Sequence, residues 1–151
     1  MIFRKAKEKD IPAIVALLAN DRLGKDREAN VHPLPDSYLK AFYKIDADEH
    51  QELIVVENKN FEIIGTLQLS FIQYLTYKGG IRAQIEAVRV REDVRGLGIG
   101  QKIFEWAIQR AKDKNAHLLQ LTVDRRRPEA ITFYEKLGFT SSHEGMKIHF
   151  L

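Results

Sequence analysis

The stretch from Val88 to Gln109 constrains the fold more than any other part of this sequence. It reads VRVREDVRGLGIGQKIFEWAIQ, which is an apolar strand end, a short charged link, a glycine-rich turn and an amphipathic helix. Glycines allow positive φ values and let a ligand approach the backbone closely. The helix that follows begins with unpaired N–H groups and a partial positive charge. A strand, a glycine turn and a helix in this order therefore predict a phosphate-binding site.

The strand that leads into this turn has an irregular apolar pattern. Ala83 and Ile85 share one parity, whereas Val88 and Val90 share the other. Because side chains alternate along a strand, a regular strand cannot bury both pairs on one face. A β-bulge at residues 86–87 would restore the phase. The alternative is a central strand that is buried on both faces.

The rest of the chain predicts further strands and helices around one core. Because a crossover helix separates them, the strands at 81–90 and 117–123 should be parallel. Asn20 and Gly24 should end the first helix, and Gly138 should end the last one. The other predicted elements are strands at 2–6, 53–56, 63–69 and 146–151, and helices at 11–18, 38–45, 99–111 and 128–137.

Composition narrows the class of protein. At 151 residues the chain is expected to form a single domain over residues 1–151. It has no cysteine, no apolar run of roughly 18–20 residues and no apolar N-terminal segment, so we expect a cytoplasmic protein without a membrane partner. A net charge of +3 suits a polyphosphate ligand but is too small to indicate nucleic acid. No metal site is expected, because no paired spacing relates His32, His50, His117, His143 and His149.

Two motifs carry a resemblance to a known family. The glycine turn, with Arg95, Gly98 and Gly100, is similar to the Arg/Gln-x-x-Gly-x-Gly/Ala motif of the GNAT superfamily of N-acetyltransferases. The later segment AITFYEKLGF, residues 130–139, resembles the block that closes the core of these enzymes. Both motifs occur in the family's order, with one strand between them.

The resemblance implies a fold and a cosubstrate. The fold is α/β of the mixed α+β kind, with a central, mostly antiparallel sheet, one parallel strand pair and about four flanking helices. The cosubstrate is acetyl-coenzyme A, whose pyrophosphate would lie on the glycine turn and whose pantetheine arm would pair with the strand before it. The implied cofactor-binding residues are Val88, Arg89, Val90, Arg95, Gly96, Leu97, Gly98, Ile99, Gly100, Gln101, Lys102 and Tyr134.

Transfer of an acetyl group to an amine requires a base, because an alkyl amine with a pKa of about 10 is mostly protonated at neutral pH. Glu86 is the candidate, since it lies at the suspected bulge. Partial burial there would make its carboxylate a stronger base, acting directly or through water. The alternative is a glutamate paired with Arg82, Arg89 or Arg95.

Two further groups complete the predicted chemistry. The family match places Tyr134 near the coenzyme A sulfur, where its hydroxyl could protonate the leaving thiolate. The alternative is a core aromatic residue with a satisfied hydroxyl group. The backbone N–H of Val88, if the bulge frees it, is the expected donor to the oxyanion.

One position departs from the family pattern. Many relatives carry asparagine three residues before the alanine of the second motif, where this chain has Arg127. The basic run Arg125–Arg127 could supply a counter-charge for coenzyme A phosphate or for an anionic substrate. It could equally be a solvated loop.

The resemblance implies that the acceptor is a primary amine of a small molecule or peptide, which the sequence does not identify further. The acid-rich region from Asp21 to Glu49 weakly favours a cationic amine, and an amino acid is equally compatible. The competing classes are a non-catalytic coenzyme A-binding sensor or interaction module and a nucleotide-binding domain. A homodimer through the C-terminal strands is compatible with the sequence, which does not require one.

Overall fold

The computed structural model describes residues 1–21 and 25–150. Five strands form one sheet in which each strand neighbours the next along the chain. The strands are β1 (Ile2–Lys5), β2 (Gln51–Glu57), β3 (Ile63–Gln73), β4 (Ile81–Val90) and β5 (Leu118–Gln120). The helices are α1 (Ile11–Ala19), α2 (Asp36–Ala47), α3 (Ile99–Asp113) and α4 (Pro128–Lys136), with short helical turns at Glu8–Asp10, Thr76–Gly79 and Glu92–Val94.

Strand directions confirm the predicted fold class. The first four strands pair antiparallel, and β4 and β5 pair parallel across the crossover helix α3. Gly138 has a φ of +92° and closes α4 as predicted, since Phe139 N–H reaches back to the carbonyl of Tyr134. Asn20 follows the last residue of α1, as expected, whereas Gly24 lies outside the described residues.

The helices cover both faces of the sheet because the strands alternate in burial. The α3 face buries a core in which Ile54 and Val56 of β2 pack with residues of α3 such as Ile103 and Phe104. The opposite face buries Val55 against α1 and α2. Neighbouring residues of β2 therefore belong to different cores, as the twofold alternation of a strand requires.

The predicted β-bulge is confirmed in β4. Thr66 pairs with Arg89 and Gln68 pairs with Glu86, so one residue of β3 faces two residues of β4. The bulge includes Ala87, whose φ is +53°, an uncommon value for a residue with a Cβ atom. Ala83, Ile85, Val88 and Val90 consequently all face the α3 core. The extra residue resolves the conflict of parity in the sequence.

The parallel strands β4 and β5 separate early. Their pairing covers only residues 82–84 of β4 and 118–120 of β5, although β4 continues to Val90. The strand predicted at 117–123 is therefore shorter than expected. No other strand of the described chain pairs with this edge of β4 beyond Gln84, so a gap opens beside the bulge.

The final strand predicted at 146–151 is wrong for the residues that the structure describes. Residues 140–150 form no helix or strand, and Leu151 lies outside the described range. Met146, Ile148 and Phe150 are 96%, 81% and 91% exposed. Their alternation suits a strand, but no neighbouring strand within the described residues offers hydrogen bonds to this segment.

Candidate active site

The glycine turn forms an exposed loop at the start of α3. Gly96 and Gly98 have φ values of +79° and +76°, which few residues with a Cβ atom adopt. Gly98 precedes Ile99, the first residue of α3, so the unpaired N–H groups of the first helical turn follow directly. Leu97 beside them is 69% exposed. The loop thus presents backbone donors to solvent at the positive end of a helix dipole.

The charged side chains near this loop differ in role. Arg95 donates from Nε to the carbonyl of Val90 at 3.0 Å and from Nη2 to the carbonyl of Asn20 at 2.9 Å. It therefore ties the loop to the ends of β4 and α1. Lys102 is exposed on α3, next to Gln101, whose amide donates to Glu105. Arg95 and Gln101 are engaged in these hydrogen bonds, so the exposed Lys102 is the side chain best placed to add charge to a bound phosphate.

Gly100 lies inside the first turn of α3. A Cβ atom added at this position would lie 3.8 Å from Cζ of Phe133 on α4, which is an ordinary contact. The predicted site residues on the loop, Gly96 to Lys102, therefore lie together in one stretch of exposed or half-buried chain.

The gap between β4 and β5 exposes the residues predicted to pair with an extended ligand. Val88 and Val90 lie beyond the last paired residue of β4, on the edge that faces β5. The carbonyl of Val88 accepts a hydrogen bond from Arg89 Nη1 at 2.8 Å, and that of Val90 accepts from Arg95. Each carbonyl keeps a second lone pair, so these bonds leave room for a further donor.

Glu86 differs from its predicted environment. It pairs with Gln68 across β3, on the sheet face that carries α1 and α2, and its side chain is exposed rather than partly buried. Glu86 accepts a long hydrogen bond of 3.4 Å from Gln84. Among the described residues no ion pair joins it to Arg82, Arg89 or Arg95. The expected burial is wrong, because strand alternation puts Glu86 on the face opposite to Ile85 and the α3 core, and its side chain is exposed there.

Tyr134 lies half-buried on α4 in a cluster of rings. Its centroid is 5.3 Å from that of Phe104 and 6.0 Å from that of Phe139. Burial raises the pKa of its hydroxyl above the ordinary value, and the nearby charges of Arg127 and Arg89 lower it in part. The net effect is a phenol that keeps its proton, as an acid must. No hydrogen bond satisfies this hydroxyl among the described side chains.

The sequence shows no sign of a partly buried charge cluster beside Tyr134. Arg127 Nη2 contacts the two carboxylate oxygens of Asp21 at 2.7 and 2.6 Å, and Arg89 Nη2 contacts one of them at 3.4 Å. The sequence marks Arg127 as a departure from the family pattern and Asp21 as one acid among many. Nothing in the spacing indicates that residues 106 positions apart form a pair.

The basic run separates into three different environments. Arg125 is 84% exposed and approaches Glu144 at 3.5 Å, whereas Arg126 donates to Asp124. Arg127 is half-buried in the cluster with Asp21. The interpretation as a solvated loop therefore fits Arg125 and Arg126 but not Arg127.

Two other kinds of site are absent from the described part of the chain. Its histidines, aspartates and glutamates form no group of three or more that could hold a metal ion. None of its helices combines the length and the apolar character needed to cross a membrane.

Comparisons with known proteins identify the family. Residues 17–139 match the profile of the acetyltransferase (GNAT) family. An L-methionine sulfoximine/L-methionine sulfone acetyltransferase of Pseudomonas aeruginosa is 26% identical over 141 residues, which cover 92% of this chain and 80% of that protein.

Two solved structures are similar over nearly their whole length. One, described as a transcriptional regulator from Bacillus halodurans C-125, is 51% identical, with a TM-score of 0.95 and 99% of both chains covered. The other, described as a predicted acetyltransferase with acetyl-CoA from Clostridium acetobutylicum, is 24% identical. Its TM-score is 0.74, and 98% of this chain and 95% of that one are covered.

Proposed function

The chain belongs to the acetyltransferase (GNAT) family, and on that premise we propose that it moves an acetyl group from acetyl-coenzyme A to a primary amine. The acceptor is a small molecule or a peptide, and the amine attacks directly while both substrates are bound. Membership of the family makes the protein an acyltransferase. The choice of acetyl-coenzyme A and of an amine is the proposal.

The residues present fit acetyl-coenzyme A. The observation that carries the proposal is that two features follow each other along the chain. They are a gap along β4 that begins after Gln84 and an exposed glycine loop at the start of α3. Backbone N–H groups of residues 96–100 would bind the pyrophosphate, with Lys102 adding charge. The open edge of β4 at Val88 and Val90 would pair with the pantetheine arm, as an added strand would. The cosubstrate then supplies an activated acetyl group as a thioester.

The roles proposed for the protein groups follow from where an amine could approach. Glu86 faces the side of the sheet that carries α1 and α2, so its carboxylate would take a proton from the ammonium group, directly or through water. An exposed carboxylate suits a relay through water. The N–H of Val88, next to the bulge, would donate to the carbonyl oxygen as negative charge develops on it.

Tyr134 is proposed to protonate the leaving sulfur. Its raised pKa, caused mainly by burial, keeps the hydroxyl protonated across the neutral range. Its position on α4, which packs on α3 through Phe104 and Phe133, puts it near the glycine loop. As the C–S bond breaks, the phenol proton would pass to the sulfur, while the nitrogen becomes an amide.

Calorimetry of acetyl-coenzyme A binding, followed by thiol release with a panel of primary amines, tests this function. We expect binding and release with at least one class of amine. ATP and NAD in the same calorimeter test the alternative of a nucleotide-binding domain. Binding of acetyl-coenzyme A without release from any amine would favour the non-catalytic module, and no binding would overturn the proposal.

A further inference from the structure

Two arginines share one carboxylate beside Tyr134. The side chains of Arg89 and Arg127 are only 18% and 29% exposed, and that of Asp21 is 10% exposed. Arg127 makes two short contacts with Asp21, whereas Arg89 makes one contact at 3.4 Å. Removing a charge from water is costly unless an opposite charge compensates it. Asp21 compensates Arg127 well and Arg89 poorly.

The surrounding charges do not compensate the positive charge of Arg89 that Asp21 leaves unbalanced. Besides Asp21 and Arg127, the charges near Arg89 include those of the exposed Arg27 and the half-buried Glu28. Glu28 accepts a hydrogen bond from the hydroxyl of Tyr38 at 2.9 Å, so it is engaged elsewhere. The three side chains in direct contact are two arginines and one aspartate. The cluster therefore carries an excess positive charge in a partly desolvated place, and burial lowers the pKa of Arg89.

One donor of this cluster also lacks an acceptor. Arg89 Nε is buried and has no hydrogen-bond partner among the described residues. Buried donors are nearly always paired, so an unpaired one calls for an explanation. Arg82 has the same unpaired Nε, but its guanidinium lies 5.2 Å from the ring of Tyr74. What distinguishes Arg89 is the unpaired donor together with the excess charge.

We propose that the acceptor amine carries an acidic group, a carboxylate or a phosphonate, and that Arg89 and Arg127 bind this group. The inference rests on the proposed function and names the class of acceptor. Guanidinium groups offer paired N–H donors that match carboxylate and phosphonate oxygens. An acidic group at this place supplies both the missing charge and the missing acceptor. This acceptor class differs from the cationic amine that the acid-rich sequence weakly favours.

The position of the cluster fits an acceptor better than coenzyme A. Both arginines act on the Tyr134 hydroxyl, which is proposed to serve the reacting sulfur, whereas the phosphates would lie at the glycine loop. Arg89 and Glu86 lie three residues apart on β4, which is at most about 10 Å along a strand. One small molecule can therefore reach the arginines with its acid and Glu86 with its amine.

The experiment compares matched acceptors. The rate of thiol release is measured for amino acids and for aminoalkylphosphonates. Each is compared with an analogue that keeps the amine but lacks the acidic group, namely the amino acid amide or the alkylamine. For the wild type we expect kcat/KM to be at least about tenfold higher for the acid-bearing amine than for its analogue, because the analogue lacks a charged hydrogen bond. Arg89→Gln and Arg127→Gln should each reduce this ratio about tenfold. Whether the carboxylates or the phosphonates react faster identifies the acid.

Two arginines serve as matched controls. Arg82→Gln removes a guanidinium with an equally unpaired Nε from the same strand, and Arg125→Gln removes an exposed neighbour of Arg127. Neither should change the ratio. Calorimetry of acetyl-coenzyme A on every variant reports folding and cofactor binding together.

Each outcome separates this inference from the proposed function. If the protein binds acetyl-coenzyme A and acetylates only amines that lack an acidic group, this inference is overturned and the proposed function stands. An equal ratio in the wild type and in Arg89→Gln and Arg127→Gln also overturns it. A loss of coenzyme A affinity in these two variants that matches the loss of turnover would assign the arginines to the cofactor. No binding of acetyl-coenzyme A by the wild type overturns both.

Discussion

Arg127 and Asp21 lie 106 positions apart in the chain, yet Nη2 of the arginine lies 2.7 and 2.6 Å from the two carboxylate oxygens. Asp21 follows the end of α1, and Arg127 immediately precedes α4. The contact therefore fixes the chain just after α1 to the helix that carries Tyr134. Arg89 joins the same carboxylate to β4. Three elements that would surround the reacting atoms meet at one aspartate.

Replacing Asp21 by alanine should destabilise the protein. The change leaves two half-buried guanidinium groups without the carboxylate they share, and an unpaired buried polar group costs about 1–3 kcal/mol. Chemical denaturation should show this decrease in the free energy of unfolding. The matched control is Asp93→Ala, which breaks a pair of Arg91 with an exposed aspartate and should shift the midpoint little. Equal midpoints for the two variants would contradict the role given to Asp21.

The fold was predictable wherever local periodicity decided the structure. The parity conflict between Ile85 and Val88 predicts the bulge, because a regular strand cannot bury both residues on one face. The C-terminal segment shows the limit, since Met146, Ile148 and Phe150 alternate like a strand but are exposed. Alternation indicates which residues can share a face, but it does not indicate whether a partner strand is present.

Only part of the candidate site was predictable from the sequence. The glycine loop and Tyr134 belong to contiguous motifs, so the sequence locates them. The exposure of Glu86 depends on which elements cover its face of the sheet, and the pairing of Arg127 with Asp21 depends on the tertiary fold. Charges that meet across the whole chain leave no pattern in a single sequence.

Gly98→Val should abolish binding of acetyl-coenzyme A. Gly98 has a φ of +76°, so a β-branched side chain strains the backbone and also occupies the space that a phosphate would take. Gly100→Val should act in the same way through steric block in the first turn of α3. Isothermal calorimetry measures the affinity.

The matched control for Gly98 is Gly79→Val, which has the same φ of +76° in a turn remote from the loop. It should lower stability by a similar amount and keep the affinity for acetyl-coenzyme A. Wild-type affinity in Gly98→Val would show that the loop does not bind the pyrophosphate.

Glu86→Gln should lower the turnover number about tenfold or more, as expected for the loss of a general base. The affinity for coenzyme A should change little, because the side chain faces α1 and α2 rather than the glycine loop. Steady-state thiol release and calorimetry measure the two quantities. Glu62→Gln, which changes another exposed glutamate, should affect neither. A turnover number unchanged in Glu86→Gln would exclude this residue as the base.

Tyr134→Phe should lower the rate of acetyl transfer in a single turnover about tenfold or more, with coenzyme A binding intact. Single-turnover measurement is required because slow product release would hide the effect in the steady state. Tyr77→Phe, which changes a tyrosine that is 72% exposed, is the control and should leave the rate unchanged. An equal single-turnover rate in Tyr134→Phe and the wild type would rule out the phenol as the acid.

The same variant tests the pKa of Tyr134. Burial raises this pKa, so the folded state favours the protonated phenol, and its contribution to stability is complete below the ordinary pKa of about 10. That contribution is lost as the pH rises through the higher pKa of the folded state, because the unfolded chain releases the proton first. The wild type should therefore lose more stability than Tyr134→Phe at alkaline pH. The difference in phenolate absorbance between the two proteins should titrate above pH 10, and a titration at or below that value would contradict the burial of the hydroxyl.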